Sequence, residues 1–289
     1  RHTRYIGDWS SEVCSSDLKF TKGKLENIED VISIEEPLEI SLKFKDKEKW
    51  ITKSLSITMR TPGHDEDLVR GFLFNEQIIQ KIKDIDNIEY FGDKVGQYNI
   101  QNKIIVTLNN SKNINISKIK RDFLSNSSCG VCGKSSLDAL EITKKQKASK
   151  SNPKISKDII IKSPNTLRQN QSEFTKTGGI HASGLFSSNG NLLSLKEDVG
   201  RHNALDKLIG DSLLNGFLKP EDQFITCSGR LNFELVQKVL MTNIGLMIGV
   251  GAPTSLAIDL ANRFDMTLIG FVKEDSFNIY TNNQKVIVS

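Results

Sequence analysis

Residues Phe224–Val272 read FITCSGRLNFELVQKVLMTNIGLMIGVGAPTSLAIDLANRFDMTLIGFV, and this stretch decides the fold. Phe224–Cys227 is a short apolar run stopped by Ser228-Gly229, which reads as a buried strand, and Leu231–Asn243 carries apolar residues at helical spacing. Leu246–Val250 then reads as strand, Ser255–Arg263 as helix and Thr267–Val272 as strand. A βαβαβ succession of this kind calls for an α/β fold, with parallel strands covered by helices and right-handed crossovers. A membrane reading fails on the same residues. Val239–Ile258 has no charge over twenty positions, about the length of a bilayer span. Asn243, Gly245, Gly249, Gly251, Pro253, Thr254 and Ser255 nevertheless punctuate it into helix end, strand, turn and helix start.

In an open parallel sheet the ligand sits beyond the carboxyl ends of the strands, where helices begin with unpaired N–H groups. Three such ends can be named. Cys227-Ser228-Gly229-Arg230 leads into the first helix, Gly251-Ala252-Pro253-Thr254-Ser255 leads into the second, and Phe271-Val272-Lys273 ends the third strand. Together they offer capping hydroxyls, glycines for close backbone approach and two cations, a set suited to a nucleotide or pyrophosphate. Each alone reads equally as an ordinary cap or turn, and none is a formal Gly-x-Gly-x-x-Gly or Walker loop; the case rests on their convergence.

Upstream, Ile180–Phe186 and Leu192–Leu195 flank Ser187-Ser188-Asn189-Gly190, a hairpin signal. Glu197, Asp198, Arg201 and His202 then fall within six positions, just before a helix that turns Ala204, Leu205, Leu208 and Ile209 inward. Such a string can cap a helix, recognise a ligand or move protons. His181 is by default a hydrogen-bonded structural histidine.

The first half is built differently. Leu38–Thr58 alternates as half-buried strands, Glu66–Gln80 places Leu68, Val69, Phe72, Leu73 and Ile79 on one helical face, and Tyr98–Leu108 is a further strand. The Asn-, Ser- and Lys-rich stretches Asn109–Ser128 and Lys144–Lys157 read as surface connections. Residues 1–18 lack usable periodicity, begin without methionine and read as a foreign tail outside the fold. The expected organisation is therefore that tail, a small α+β domain over 19–125, a cysteine loop and Lys-rich linker over 126–162, and an α/β cofactor-binding domain over 163–289.

The whole chain has 289 residues, 37% of them hydrophobic, with 39 basic and 35 acidic side chains. That suffices for packed cores and excludes wholesale disorder, while a net charge of +4 is too small for a protein that coats nucleic acid. Four cysteines in so long a chain make no disulfide scaffold, and the Cys-x-x-Cys among them favours a reducing, cytoplasmic setting.

That pair, Cys129 and Cys132, lies in Ser128-Cys129-Gly130-Val131-Cys132-Gly133-Lys134, a glycine-flanked loop near a helix start. A helix end and the Lys134 ammonium both favour thiolate, the nucleophilic form. Three chemistries compete. A closed zinc site needs four ligands, and Cys227, His181 and His202 could complete one only through the fold, so no structural metal is expected. A dithiol oxidoreductase uses the same motif, but at the first helix of a βαβ unit. In sulfur relay, a thiolate takes a sulfur atom as a persulfide and passes it to an acceptor, which suits a loop between domains.

These residues together resemble the FdhD family, the formate dehydrogenase accessory sulfurtransferases. The matching strings are Thr61-Pro62-Gly63-His64-Asp65-Glu66-Asp67-Leu68, the cysteine loop, Thr177-Gly178-Gly179-Ile180-His181-Ala182, Glu197–Asp206, Ser228-Gly229-Arg230, Ala252–Ala257 and Gly270-Phe271-Val272. His64 departs from the family pattern, which more often has an acidic residue there. The resemblance implies a cytoplasmic homodimer that takes sulfur from a cysteine desulfurase and delivers it to Mo-bis(molybdopterin guanine dinucleotide), held as a bound substrate, before that group enters formate dehydrogenase. It implies a cytidine-deaminase-like three-layer C-terminal domain behind a smaller α+β domain. Cys129 would bear the persulfide with Cys132 as its helper. Phe271, Val272, Lys273, Glu274, Asp275 and Ser276 would line the cofactor site, joined by Ser228, Gly229, Arg230, Pro253, Thr254, Ser255, His181, Arg201 and His202. Deamination itself is a poor reading, because a zinc deaminase needs a glutamate where Ser183 stands. The alternatives left open are the dithiol oxidoreductase and a non-enzymatic cofactor chaperone whose cysteines bind metal.

Overall fold

The structure, a computed structural model, describes residues 11–46, 49–109 and 153–287. Its first element is a hairpin in which β1 (Ser11–Thr21) pairs antiparallel with β2 (Lys24–Ser33). Lys22 and Gly23, at φ 51° and 85°, make the turn, with the positive angles a two-residue hairpin loop requires. The boundary expected after residue 18 thus falls inside a strand. Leu18, Phe20 and Leu25 are exposed, so backbone pairing holds this hairpin more than burial does, which is why apolar periodicity gave no sign of it.

A four-stranded sheet follows, in the order β4-β3-β8-β5. It comprises β3 (Glu36–Asp46), β4 (Lys49–Arg60), β5 (Ile85–Tyr90) and β8 (Lys103–Leu108), with the short pair β6 (Lys94–Val95) and β7 (Ile100–Gln101) between the last two. Leu38, Ile40, Leu42 and Phe44 of β3 bury one face under α1 (Asp65–Asn75), whose Leu68, Val69 and Leu73 join the same core. The helix stops five residues short of the expected Gln80; Gln77 takes φ 56° in the turn that follows it.

β9 (Ile155–Ser156) pairs with β16 (Val286–Ile287) and leads into α2 (Lys157–Gln169) and α3 (Ser172–Thr177). The stretch read as linker is therefore helical from Lys157. Pro164 lies inside α2, and the Ile160 carbonyl that its ring deprives of a partner accepts the Ser163 hydroxyl at 3.1 Å.

The second sheet has six strands in the order β11-β10-β12-β13-β14-β15. These are β10 (His181–Ser187), β11 (Leu192–Asp198), β12 (Gln223–Cys227), β13 (Leu246–Gly249), β14 (Thr267–Gly270) and β15 (Asn278–Thr281). Only β12, β13 and β14 run parallel, as the rhythm required. One face packs on α4 (Arg201–Leu214), α5 (Phe233–Met241) and α6 (Ser255–Arg263). The other packs on Ile160 and Leu167 of α2. None of the helices among the described residues is long and apolar enough to cross a membrane.

The two halves interlock. α1 crosses α4 so closely that a Cβ on Gly71 would sit 1.9 Å from the Asp206 carbonyl oxygen, and one on Gly210 1.9 Å from that of Asp67. Beside this seam, Lys207 (1% exposed) reaches Asp198 (0%) at 2.7 Å and the Thr61 carbonyl at 2.8 Å. Asn203 donates to Met59 O at 2.7 Å. Part of the polar string before α4 is thus buried structure. Burial pushes the Asp198 carboxyl up despite the opposing pull of Lys207.

Candidate functional site

The three strand ends do converge. Beyond β12 the chain is stitched to the next loop by Val250 N–H to Cys227 O at 3.1 Å, Gly251 N–H to Gly229 O at 3.1 Å and Leu231 N–H to Ala252 O at 3.0 Å. The loop after β14 joins through Phe271 N–H to Gly251 O at 3.3 Å. Phe271 takes φ 53°, which turns the chain out of the sheet two residues before the expected strand end at Val272 and leaves its ring exposed.

Two adjoining cavities open at this edge. The larger, about 340 Å³, is lined by Ser228, Val250, Val272, Lys273 and Glu274 from the strand ends, and by Ile161, Pro164, Asn165, Leu167, Arg168, Gln171 and Phe174 from α2 and α3. The smaller, about 290 Å³, is lined by Phe174, Gly178, Gly179, Ile180, His181 and Ser228. Phe174 and Ser228 belong to both. The Ser228 hydroxyl oxygen accepts the Ala182 N–H at 2.9 Å, which leaves its own proton free to be donated.

Of the other expected contacts, Gly229 lies under the His181 ring, with His181 Nδ1 3.3 Å from where its Cβ would be and Arg201 Cδ at 3.9 Å. Burial, reinforced by the Arg201 and His202 charges, holds the His181 imidazole below its ordinary range. Among the described residues, Arg201 Nε is buried without a hydrogen-bond partner. His202 is turned toward α5, its Nε2 2.9 Å from Glu234 Oε2 and 3.0 Å from Asn232 Nδ2. Neither Arg201 nor His202 lines the two cavities.

Arg230 is exposed, as are Thr254, Ser255, Asp275 and Ser276. Thr254 stands at the N-cap of α6 without a side-chain capping bond, so the capping hydroxyl expected there is not made. Gly251 also differs from expectation, and Gly270 at the end of β14 is crowded in the same way. A Cβ on Gly251 would meet Arg230 N at 2.9 Å, and one on Gly270 would meet Gly251 O at 2.9 Å and Pro253 Cδ at 3.0 Å. Their bareness lets the loops pack on one another rather than admit a ligand.

Cys129 and Cys132 lie outside the described residues. Cys227 is buried, its thiol pushed up to about 11 by burial with only Ser183 Oγ, 3.5 Å away, opposing that shift. It is no thiolate at neutral pH. Among the described residues no three His, Cys, Asp or Glu side chains gather as a metal site requires, so Cys227, His181 and His202 do not meet around one.

Reading the sequence missed the wall that α2 and α3 supply. Its signal is present in Ile160, Ser163 and Leu167, which share a buried face at helical spacing, but the residues up to 162 read as Lys-rich linker. Arg168 stacks its guanidinium 3.5 Å from the Phe174 ring centroid, a favourable cation–π geometry.

The profile of the FdhD/NarQ family matches residues 34–287. The "Sulfur carrier protein FdhD" of Sulfurisphaera tokodaii is 41% identical over 259 residues, covering 90% of this chain and 92% of that one. The protein of the same name from Sulfolobus acidocaldarius is 39% identical over 268 residues, covering 93% and 96%. A solved structure from Desulfotalea psychrophila, carrying the name of a formate dehydrogenase accessory protein, superposes with a TM-score of 0.70 over 96% of this chain and all of that one. At 23% identity that likeness shows the fold alone.

Proposed function

The chain belongs to the FdhD/NarQ family, and from that premise we propose that it is a sulfur carrier serving formate dehydrogenase. The substrate is a molybdenum-bound bis(molybdopterin guanine dinucleotide) held at the carboxyl ends of β12, β13 and β14. The observation that carries this reading is the pair of cavities sharing Ser228 and Phe174 at that edge. Each alone is near or below the lower limit for a small-molecule site. A long ligand with a ring at one end and phosphates along its length lies across both, with Lys273 as a cation and Val250 and Val272 as apolar floor.

In the first step the Cys129 thiolate attacks the terminal sulfur of a desulfurase persulfide. A sulfur–sulfur bond forms at Cys129, the one in the donor breaks, and the donor leaves as a thiolate, so no outside oxidant is needed. In the second, the terminal sulfur leaves Cys129 as a neutral atom and the thiolate is regenerated. The acceptor metal, in its reduced state, supplies the electron pair of the new metal–sulfur bond and is oxidised by two electrons as the sulfur falls to the sulfide level. Cys132 assists Cys129, and the protein acts as a cytoplasmic homodimer. We read the six-stranded sheet with helices on both faces as the deaminase-like core of this family, without deaminase chemistry. The Ser183 hydroxyl that stands where a deaminase has its glutamate faces the Cys227 thiol.

The experiment is formate dehydrogenase activity in cells whose only copy of this protein is Cys129→Ala, with the enzyme's cofactor content measured alongside. Lost activity with the cofactor present but lacking its sulfur supports the reading. Full activity overturns it.

A further inference from the structure

Gln171 and Phe174 enter the cavities from a short segment whose start is held by one side chain of a different element. The Glu197 carboxylate, on β11, accepts the Glu173 N–H at 3.0 Å and the Phe174 N–H at 2.9 Å. Ser172 Oγ and Gln171 Nε2 each stand 3.5 Å from it, at the outer limit of a hydrogen bond. A helix of six residues does not hold itself in water, and its first amides have no intrahelical acceptor. At its far end the chain leaves through Gly178, at φ 67°, whose N–H returns to Phe174 O at 2.8 Å. The segment therefore turns on a glycine at one end and is tied to a carboxylate at the other, with a ring that walls both cavities between them.

We propose that Glu197 is a positioning residue of the substrate site: it fixes Phe174 and Gln171 where the substrate meets them. This rests on the reading that the guanine-nucleotide end of the substrate occupies the two cavities. A carboxylate serves here because both its oxygens accept, one toward each amide. The amide in Glu197→Gln offers a single accepting oxygen and sets an NH₂ against a donor.

The test uses GDP as the probe, with affinities measured by calorimetry on the full chain. Glu197→Gln should weaken GDP about tenfold, the scale of one lost charge-assisted hydrogen bond, and Phe174→Leu by a similar factor. The double variant should lose less than the product of the two factors, because Glu197 acts partly through Phe174; a residue that acts independently of Phe174 gives factors that multiply. Hydrogen exchange at the Glu173 and Phe174 amides should quicken in Glu197→Gln. Should that variant fail to fold, Glu197→Asp, which keeps the charge but shortens the reach, takes its place with the same expectation. Wild-type affinity in the variant that folds, or a double variant losing the product of the two factors, overturns the assignment while GDP binding by the wild type keeps the nucleotide reading. A wild type that does not bind GDP overturns that reading, and the assignment with it.

Discussion

Replacing Lys207 by methionine tests how the two halves are joined beside the site. The side chain keeps its length but loses the ammonium that sits 2.7 Å from Asp198 Oδ2 and 2.8 Å from the Thr61 carbonyl. Asp198 would keep the Gly200 N–H at 2.8 Å, the Thr61 N–H at 3.2 Å and Asn203 Nδ2 at 3.2 Å. It would have no cation among these partners, at a position with no solvent exposure. Removing one partner of a buried ion pair costs about 3–5 kcal/mol, and the abandoned Thr61 carbonyl falls within that sum. The pH dependence has a definite sign. Burial already raises the Asp198 carboxyl in the folded protein, so its favourable contribution is complete below the unfolded carboxylate range and is lost as pH rises through the folded value. Without Lys207 the folded value climbs further. The penalty in urea denaturation should be larger at the higher of two pH values and shrink as pH falls and Asp198 takes a proton. Adding Asp198→Asn should recover more than half of it, because a neutral amide needs no counter-charge. A variant within about 1 kcal/mol of wild type at the higher pH, or a penalty that grows toward acid, would show that Lys207 does not offset a buried Asp198 charge.

Gly71→Ala should destabilise the same junction. Its methyl needs at least 3.0 Å where the Asp206 carbonyl stands at 1.9 Å, so the helices must part by 3.0 − 1.9 = 1.1 Å. Overpacking of this kind costs about 1–3 kcal/mol, and more where only backbone can yield, against about 1 kcal/mol returned by alanine's helix propensity; a gain in urea stability would contradict the crossing. Cys227, with its thiol near 11, should resist iodoacetamide at neutral pH in the folded protein and react only on unfolding, as peptide mapping would show. The His181 ring should titrate below its ordinary 6.5 by NMR, and Arg201→Gln should move it upward by removing a neighbouring positive charge. An unchanged titration would show that Arg201 does not act on it.

Much of the second sheet could be read from its residues because the punctuation is dense and the local rules agree. Ser228-Gly229, Gly251-Ala252-Pro253 and Asn189-Gly190 separate apolar runs of strand or helix length, and Ser255–Arg263 forms with the bounds its pattern gave. What escaped depends on contacts between distant residues. The bareness of Gly251 reads as room for a ligand until Arg230 is seen to fill it. Glu197 and Asp198 are adjacent in a single polar string, yet one ties down α3 and the other answers Lys207, because successive strand residues point to opposite faces. α2 begins inside the stretch that reads as Lys-rich linker, and a serine hydroxyl satisfies the carbonyl that its proline leaves open. The convergence of three strand ends followed from topology; the opposing wall, with Arg168 and Phe174, required the structure.

The proposed function stands or falls on Cys129 as the carrier of sulfur to a ligand seated at those strand ends. The direct measurement is to incubate the protein with a cysteine desulfurase and sulfur-labelled cysteine, then map the label by peptide without reductant. One labelled sulfur is expected on the peptide containing Cys129, absent in Cys129→Ala and absent from the buried Cys227. Label on Cys227 instead, or on no cysteine of the chain, would contradict the proposed function.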